Sequence, residues 1–506
     1  MLNLTINPAR EIDRIDDKIY GTFIENLCDC MYGGVYDPTS PAADEDGFRK
    51  DVIEACRRMG VSIARYPGGC FAPRYNWKEG IGPKEKRPVV KYNDVVIHGM
   101  EENNGTNQFG TDEFIKWCEK VGAEPYITVN MGNRDACDAA DWVEYCNGSA
   151  DTRWGAVRAQ NGHPQPYGVK YWSLGNEISG SWELGYCSTS EEYIRRVKEY
   201  VERMKQADSS IRLVFNGCVF PLEGTVEERD WNRAVMEAYL EECDYISAHF
   251  YVGSCGETRS VYQIPSENKE EIHYRMQEGA GLTDLIAEVV GSDIRLINKR
   301  KDRTRPIGIA LDEYNPWRRN QGPGETLDRY YDLTDALAVA EFFNGFLRHA
   351  DMFKLCAMAQ LVNVLPAMSC VSGTELFVRH GISYVQELYT KNKGNTAIDA
   401  FVDSPAYAGY RREQVPYVTC SASKTDDKIV VNLVNRHLED AYEMNVSIIG
   451  NEVERMRGSL LVGDGAGAVN TFETPDAIRI VPADCMEGTR IKLPPLSVLV
   501  CEITVK

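Results

Sequence analysis

The sequence predicts an α/β protein: a (β/α)8 TIM barrel over residues 16–384, joined to an antiparallel, jelly-roll-like β-sandwich formed by residues 1–15 and 385–506. Three observations favour this fold. Eight apolar runs alternate with amphipathic helical patterns, the runs are nearly continuous in hydrophobicity, and short β-rich segments replace this alternation after about residue 385.

The barrel prediction depends on the eight apolar runs, which glycine, proline or polar residues bound. They span 18–25, 61–69, 124–130, 169–177, 211–217, 245–252, 307–315 and 354–363. Helical patterns between them include 51–60, 111–122, 190–208 and 334–350. Parallel strands covered by helices have this alternation, and (β/α)8 barrels run from roughly 200 to over 400 residues. An open doubly wound sheet is the alternative, but no G-x-G-x-x-G follows the first run.

The C-terminal part has a different character. Short β-rich runs at 428–437, 443–450, 458–463, 477–483 and 490–505 are separated by Gly, Asp, Asn and Pro, with no strong helical pattern between them. This spacing is typical of an antiparallel sandwich. Residues 1–8 also alternate, so we place the N-terminal segment in the same domain.

Composition restricts the partners and the compartment. A formal net charge of −20 argues against nucleic acid, whose phosphates need a basic surface, and against an anionic membrane surface. We find no signal peptide and no transmembrane run, so we read the sixteen scattered cysteines as free thiols in a reducing cytoplasm. Cys28 and Cys30 are close, but no second pair or histidine cluster completes a zinc site, and we expect neither metal nor cofactor.

Polar side chains follow the predicted barrel strands, where (β/α)8 enzymes place their chemistry. In chain order they are Glu25, Asn26, Arg65, Asn130, Asn176, Glu177, His249, Tyr251, Asp312, Glu313 and Gln360. Because a buried carboxylate without a partner is costly, several of them at one rim are hard to explain as structural residues. We therefore expect the active site at this mouth.

Glu177 and Glu313 come from predicted strands 4 and 7, on opposite sides of the mouth. Glycoside hydrolysis uses two carboxyl groups that flank one bond: a separation of ~5–5.5 Å gives retention and ~6.5–9.5 Å gives inversion. The sequence leaves that separation open. Metal-dependent hydrolysis is the competing chemistry, but it favours two or more histidines near the carboxylates, and only His249 lies at a strand end.

A set of motifs in order along nearly the whole chain resembles the α-L-arabinofuranosidases of glycoside hydrolase family 51. They are "YGTFIENL", "ARYPGGCFAPRYNWKEGIGP", "WVEYCNG", "YWSLGNEISGSWELG", "LDEYNPW" and "LAVAEFFNGFLRHAD". The resemblance implies a retaining exo-glycosidase, intracellular and often hexameric, that takes arabinofuranosyl oligosaccharides. It makes Glu177 the general acid/base and Glu313 the nucleophile. It implies a sugar site formed by Glu25, Arg65, Cys70, Asn176, Tyr251, Trp317 and Gln360.

These roles carry expectations about protonation. Glu313 must be ionised to attack, and Arg65 favours that form, while burial and the charge of Glu313 are expected to raise the pKa of Glu177. We expect Tyr251 to donate a hydrogen bond to Glu313, and we read His249 as a hydrogen-bonded strand-end residue rather than a catalyst.

The sequence also departs from the family pattern and leaves alternatives open. Asn26, Asp29 and Tyr314 stand where many relatives have histidine, arginine and tryptophan, which leaves the contacts around the sugar open. Linkage and aglycone preference also stay open. A β-D-galactofuranosidase, a xylosidase or an endo-glycanase has the same chemistry, and a non-catalytic sugar-binding protein has the same fold.

Overall fold

Eight parallel strands form the closed barrel that the sequence predicts. The computed structural model describes residues 1–92, 103–219, 221–222, 226–254, 261–263, 268–300, 305–318 and 330–506. Barrel strands 1 to 8 are Gly21–Phe23, Ile63–Tyr66, Glu124–Thr128, Tyr171–Leu174, Arg212–Asn216, Cys243–Ser254, Gly308–Arg318 and Phe353–Met358. Strand 8 pairs with strand 1, which closes the barrel. Each strand overlaps one predicted apolar run, so all eight strand predictions are confirmed.

Helices cover the outside of the barrel. They are Lys50–Arg58, Thr111–Val121, Ala136–Asn147, Arg153–Gln160, Ser190–Ala207, Val226–Ala238, Lys269–Ala280, Thr283–Asn298, Leu333–Arg348 and Gly381–Lys391. Helix Ser190–Ala207 begins where the Thr189 side chain accepts a hydrogen bond from the Glu192 N–H. None of the helices in the described ranges is long and apolar enough to cross a membrane.

Short elements occupy the loops. The 3₁₀ turns are Asp17–Tyr20, Ala72–Arg74, Trp77–Gly80 and Lys84–Lys86. The short strands outside the two large sheets are Val90–Tyr92, Asn103–Gly105, Met368–Cys370, Phe377–Arg379, Ala406–Tyr407 and Val415–Pro416. Strand Val261–Gln263 extends the barrel sheet beside strand 6.

The C-terminal domain is a single ten-stranded sheet. Its strands are Leu2–Arg14, Thr396–Val402, Val418–Lys424, Ile429–Asn435, Tyr442–Ile448, Val453–Gly463, Ile478–Pro482, Met486–Glu487, Arg490–Leu493 and Ser497–Val505. The N-terminal strand lies inside this sheet, antiparallel to Thr396–Val402 and parallel to Tyr442–Ile448, and the other pairs are antiparallel. The predicted β-rich C-terminal domain is therefore confirmed. The division at residues 384/385 stays a prediction; helix Gly381–Lys391 lies across it.

The sheet has two buried faces. In strand Ile429–Asn435, Val431 and Leu433 point into the core of the β-domain, whereas Val430 and Val434 pack in the core shared with the barrel. Alternating side chains of a strand point to opposite faces, so one strand serves both cores. Helix Leu333–Arg348, which is buried along almost its whole length, lies between the barrel and the sheet. The two domains are therefore tightly packed.

Arg348 joins charges across this boundary. It donates hydrogen bonds to Asp284 at 2.9 and 3.0 Å, to Glu341 at 2.8 Å and to the Cys420 carbonyl oxygen at 3.2 Å. The Arg348 side chain is 24% exposed and that of Glu341 only 2%. Asp284 and Glu341 thus share one guanidinium, and Asp284 also lies 3.1 Å from His349 Nε2.

We predict that Arg348→Met destabilises the fold by about 3 kcal/mol, because it leaves buried Glu341 without its cation. Arg203→Met is the matched control: its pair with Glu199 is about half exposed on both sides, so its loss should cost less than about 0.5 kcal/mol. Urea unfolding of both variants measures the difference. Equal losses would show that the Arg348 cluster adds nothing to the domain boundary.

Candidate active site

Buried polar side chains meet at the C-terminal ends of the barrel strands, as the sequence predicts. Arg65, Asn176, Glu177, His249, Tyr251, Asp312 and Glu313 are each less than 9% exposed, and direct hydrogen bonds or ion pairs join them into one network. Strands 2, 6 and 7 and the turn after strand 4 supply these residues, so the network is held by the rigid sheet.

Arg65 is at the centre of this network. Its guanidinium donates to Glu313 Oε1 at 2.7 Å, to Asn176 Oδ1 at 2.8 Å and to Thr128 Oγ1 at 3.2 Å. Its Nε also lies 3.5 Å from Asp312 Oδ2. Because arginine only donates and stays charged, it fixes the orientation of every acceptor around it.

Both carboxylate oxygens of Glu313 have a fixed partner. Oε1 accepts from Arg65, and Oε2 accepts from the Tyr251 hydroxyl at 2.8 Å, which is the expected hydrogen bond. Trp317 is half-buried and packs edge-on against Tyr251, with ring centroids 4.9 Å apart. The Glu313 carboxylate is therefore held in one position.

Glu177 is held by two nitrogen donors. His249 Nδ1 lies 2.8 Å from Oε1, and the Trp182 indole N–H donates to Oε2 at 2.7 Å. The turn that delivers Glu177 is unusual, since Gly175 has φ +91° and Glu177 itself has φ +45°, in the left-handed region. Such backbone strain in a non-glycine residue is concentrated at functional sites.

His249 contacts three strand-end carboxylates, Glu177, Asp312 and Glu313. Besides Glu177, its ring nitrogens lie 3.4 Å from Asp312 Oδ1 and 3.4 Å from Glu313 Oε2. Burial alone would lower the pKa of His249, but the charge of Glu313 and the hydrogen bonds to Asp312 and Glu177 raise it to about 10. The imidazole is therefore an imidazolium at neutral pH, between the two residues predicted to carry the chemistry.

The expectation that the pKa of Glu177 is raised is wrong for the free site. Burial raises it, but the hydrogen bond and positive charge of His249 outweigh burial and hold the pKa below its usual value. For Glu313, burial and the charge of Glu177 raise the pKa above its usual value, although His249, Arg65 and Tyr251 oppose the rise. The cation of His249, which lies beside both carboxylates, is what reverses the expected direction for Glu177.

Glu25 and Gln360 form a second, adjoining group. Glu25 Oε1 accepts from the Gly69 and Phe71 N–H groups at 2.9 Å each, and Gln360 donates to Oε2. Burial raises the pKa of Glu25 to about 8 despite the backbone hydrogen bonds. Gln360 Oε1 is buried and has no hydrogen-bond partner among the described residues, so it offers an acceptor for a bound molecule.

Four other residues from the sequence analysis, Cys70, Asn26, Asp29 and Asn130, have different surroundings and exposure. Cys70 is half-buried at the rim, beside Glu177 and Glu183. Asn26 is buried, and Asp29 is exposed. Asn130 fixes its own loop by accepting from the Gly132 and Asn133 N–H groups, so it supports the rim.

The Tyr314 departure lies in the core. Its ring packs against Phe342 and Phe346 of helix Leu333–Arg348, with centroids 5.1 and 5.0 Å away. It is fully buried there, on the helix side of strand 7. The replacement of tryptophan by tyrosine at this position therefore concerns packing.

Sequence reasoning missed three supporting residues: Thr128, Trp182 and Glu183. Glu183 is 5% exposed and accepts from Asn176 Nδ2 at 3.1 Å. Burial and the charge of Glu177 raise the pKa of Glu183 to about 7. The only signals were the place of Thr128 at the end of strand 3 and of Trp182 and Glu183 in the "SWELG" segment that follows strand 4.

Two groups of three side chains bring possible metal donors within 4.8 Å of one another: Cys70, Glu177 and Glu183, and Glu177, His249 and Glu313. A metal needs deprotonated donors. Burial raises the pKa of the Cys70 thiol well above its usual value, and His249 is charged at neutral pH. In the described part of the chain, these donors therefore suit proton transfer better than metal binding.

Comparison with known proteins gives consistent matches. Residues 55–260 match the family model described as "Alpha-L-arabinofuranosidase 1 domain", and residues 312–497 match "Alpha-L-arabinofuranosidase C-terminal domain". Alpha-L-arabinofuranosidase C of Emericella nidulans is 33% identical over 89% of this chain and 88% of its own length. "Intracellular exo-alpha-(1->5)-L-arabinofuranosidase 1" of Bacillus subtilis is 33% identical over 89% of this chain and 87% of its own length.

Solved structures agree with the sequence relatives. The α-L-arabinofuranosidase of Thermotoga maritima, in complex with arabinose, superposes with a TM-score of 0.85 at 32% identity and covers 100% of both chains. A family 51 α-L-arabinofuranosidase from Bifidobacterium longum gives a TM-score of 0.88 at 26% identity and covers 100% of this chain and 99% of its own.

We predict that the His249 charge stabilises the fold in a pH-dependent way. A pKa of about 10 in the folded protein, against about 6.5 when unfolded, stabilises fully below about pH 6.5 and loses this effect as the pH rises to about 10. The thermal midpoint of wild type minus that of His249→Asn should thus be largest near about pH 6 and shrink towards about pH 10.

His163→Asn, which lies outside this network, is the matched control for the pH series, measured by differential scanning calorimetry. A wild-type advantage over His249→Asn that stays constant from acid to alkaline pH would mean that the imidazole is neutral in the folded site.

Proposed function

This chain belongs to the α-L-arabinofuranosidases of glycoside hydrolase family 51, and from this premise we propose which of its residues perform the reaction and on what substrate. The substrate is a terminal, non-reducing α-L-arabinofuranosyl unit of an arabinose-containing oligosaccharide. Glu313 is the nucleophile and Glu177 the acid/base of a double displacement.

The spacing of the two carboxyl groups carries this proposal. One oxygen of Glu177 and one of Glu313 lie within 4.8 Å of each other, beside His249. This short separation fits a retaining pair, at ~5–5.5 Å, better than an inverting pair that must leave room for a water molecule, at ~6.5–9.5 Å. It also argues against a non-catalytic binder, since both groups are present and paired.

In the first step the Glu313 carboxylate forms a bond to the anomeric carbon while the bond from that carbon to the leaving oxygen breaks. Arg65 and Tyr251 hold the attacking carboxylate in place. Glu177 protonates the leaving oxygen. In the free site that proton is on His249, 2.8 Å from Glu177 Oε1, so the imidazolium supplies it through Glu177 and becomes neutral.

The second step reverses the proton path. Glu177, now a carboxylate, takes a proton from a water molecule, whose oxygen forms a bond to the anomeric carbon as the ester bond to Glu313 breaks. The proton on Glu177 returns to His249, and arabinose leaves with its anomeric configuration retained. Protons and charges balance over the cycle.

The sugar is held by the remaining side chains at the mouth. Asn176 donates to the 2-hydroxyl, a contact that strengthens in the transition state. Gln360 offers its unpartnered Oε1, and Glu25, protonated at neutral pH by its raised pKa, can donate to a sugar oxygen. Cys70 lines the rim and Trp317 supports Tyr251.

We also propose that this enzyme is located in the cytoplasm and forms a homo-oligomer. All fifteen described cysteines are free thiols, and eleven of them are buried, which suits a reducing compartment. The Bacillus subtilis relative is named intracellular. The family resemblance supports a hexamer.

Gly69 lies so close to the nucleophile Glu313 that there is no room for a side chain at this position. A Cβ at Gly69 would lie 2.7 Å from Glu313 Oε1, which is closer than real Cβ contacts. The "RYPGG" turn therefore leaves room for the Glu313 carboxylate as well as reversing the chain. Because Arg65 already fixes that oxygen, the carboxylate would have to leave its position to make room.

We predict that this protein releases 4-nitrophenol from the α-L-arabinofuranoside faster than from the β-D-galactofuranoside, β-D-xyloside or β-D-glucoside. Glu313→Ala should lower kcat more than about a thousandfold, because the nucleophile is lost. Glu177→Ala should lose less on this good leaving group, and azide should restore turnover as a glycosyl azide with the substrate's anomeric configuration.

Each alternative has its own outcome in that panel. Preference for another sugar would replace the substrate and keep the mechanism. Azide rescue of Glu177→Ala with the opposite anomeric configuration would contradict the role of Glu177 as the acid/base of a retaining enzyme. No turnover of any of the four by wild type would indicate an endo-acting enzyme or a sugar-binding protein.

We predict that Gly69→Ala lowers kcat/KM on the same arabinofuranoside about a hundredfold, since displacing a catalytic group by about 1 Å costs this much. Gly467→Ala is the matched control, because a Cβ there meets nothing within 4 Å and the backbone is not left-handed. Both variants are compared by initial rates and thermal midpoints. Unchanged kinetics in Gly69→Ala would place the reacting carboxylate elsewhere.

A further inference from the structure

Glu183 has no role in the reaction as described so far, yet it is built into the site. It lies in the loop between barrel strand 4 and helix Ser190–Ala207 and is 5% exposed. Its Oε1 accepts from Arg74 Nη1 at 3.1 Å and from the Leu184 N–H at 2.9 Å, and its Oε2 accepts from Asn176 Nδ2 at 3.1 Å. The carboxylate is thus surrounded by donors.

The same residue joins two loops of the mouth. Arg74, which follows strand 2, also donates to the Cys70 carbonyl oxygen at 2.9 Å. Glu183 therefore links the loop that carries Cys70 to the turn that carries Asn176. This link lies on the side of Asn176 away from Arg65.

The orientation of the Asn176 amide follows from what its neighbours can do. Arg65 has donors only, so the atom that faces it must be the amide oxygen. The amide nitrogen then faces Glu183, which accepts one of its two N–H groups. The second N–H has no hydrogen-bond partner among the described residues and remains for a bound molecule.

We infer that Glu183 is a positioning residue: it holds the Asn176 amide so that the free N–H is presented to the sugar hydroxyl next to the anomeric carbon. The inference depends on the proposed function, which supplies that hydroxyl. Arg65 alone fixes one end of the amide, and the amide could still turn about this single contact. With Glu183 at the other end, both ends are fixed before the sugar arrives.

A second consequence concerns which sugars react well. A hydrogen bond that strengthens in the transition state raises kcat/KM for a sugar with an oxygen at position 2 relative to a sugar without one. We expect Glu183 to determine the size of this difference in kcat/KM, because it positions Asn176 without touching the sugar itself. It therefore contributes to discrimination at position 2.

The test is a cycle of Glu183→Leu, Asn176→Ala and the double variant, assayed by the first turnover of an aryl α-L-arabinofuranoside. Glu183→Leu keeps the size and removes the acceptor, and we expect kcat/KM to fall about 10- to 100-fold, as for loss of a hydrogen bond to a charged group. In the Asn176→Ala background the same change should cost nothing further. Independent, multiplying losses would overturn the inference.

Two further measurements separate positioning from a general structural role. The preference for the arabinofuranoside over its 2-deoxy-2-fluoro counterpart should shrink in Glu183→Leu by the factor lost in kcat/KM. Glu183→Gln, which keeps one acceptor for Asn176, should retain more activity than Glu183→Leu. An equal loss on both sugars, or a Gln variant as poor as the Leu variant, would mean that Glu183 only supports the loop.

Wild type distinguishes failure of this inference from failure of the proposed function. If wild type does not turn over the arabinofuranoside, the substrate is wrong, and the cycle is run on whichever panel sugar it does hydrolyse. If wild type is active and the variant losses multiply, only the role of Glu183 is wrong. Thermal midpoints identify a variant that has lost its fold, in which case Glu183→Gln decides.

Discussion

One constraint governs the mouth of this barrel: carboxylates that are buried together must be buried with cations. Glu177, Asp312 and Glu313 are each less than 9% exposed. Among the described residues, Arg65 forms ion pairs with Asp312 and Glu313, and His249 lies within ion-pair distance of all three. Buried ions without partners are too costly to persist. The positions of the two cations therefore decide where the carboxylates point and which of them holds a proton.

The barrel is what makes this arrangement possible. Parallel strands bring side chains that are far apart in the chain to one rim, as Arg65 on strand 2 meets Glu313 on strand 7 at 2.7 Å. Asp312 accepts from Tyr126 at 2.7 Å and Ser247 at 2.5 Å, so it is fixed as firmly as the reacting groups. The charged side chains come mainly from the strands, and residues of the loops after strands 2 and 4 donate hydrogen bonds to them.

The fold could be predicted because apolar strands and amphipathic helices repeat regularly along the sequence. The electrostatics of the site depend on individual side-chain contacts, which this repeating pattern does not show. The apolar runs located all eight barrel strands, and strand ends located Glu177 and Glu313. The pKa of Glu177 was predicted in the wrong direction because His249 looked like a lone strand-end histidine. Glu183 was missed because its contact with Asn176 forms through a loop whose path the sequence does not specify.

The direction of the Glu313 pKa agrees with a charge count over the reaction. In the free site three carboxylates face two cations, which leaves one excess negative charge, so the position of Glu313 favours a neutral group. When Glu313 becomes a glycosyl ester its charge is lost, and the proton given to the leaving oxygen leaves His249 neutral. Glu177 and Asp312 then face Arg65 alone, so the one excess negative charge remains, and it is now available at Glu177 to take a proton from water. A site that only bound sugar would gain nothing from this excess charge, because buried like charges destabilise the free protein.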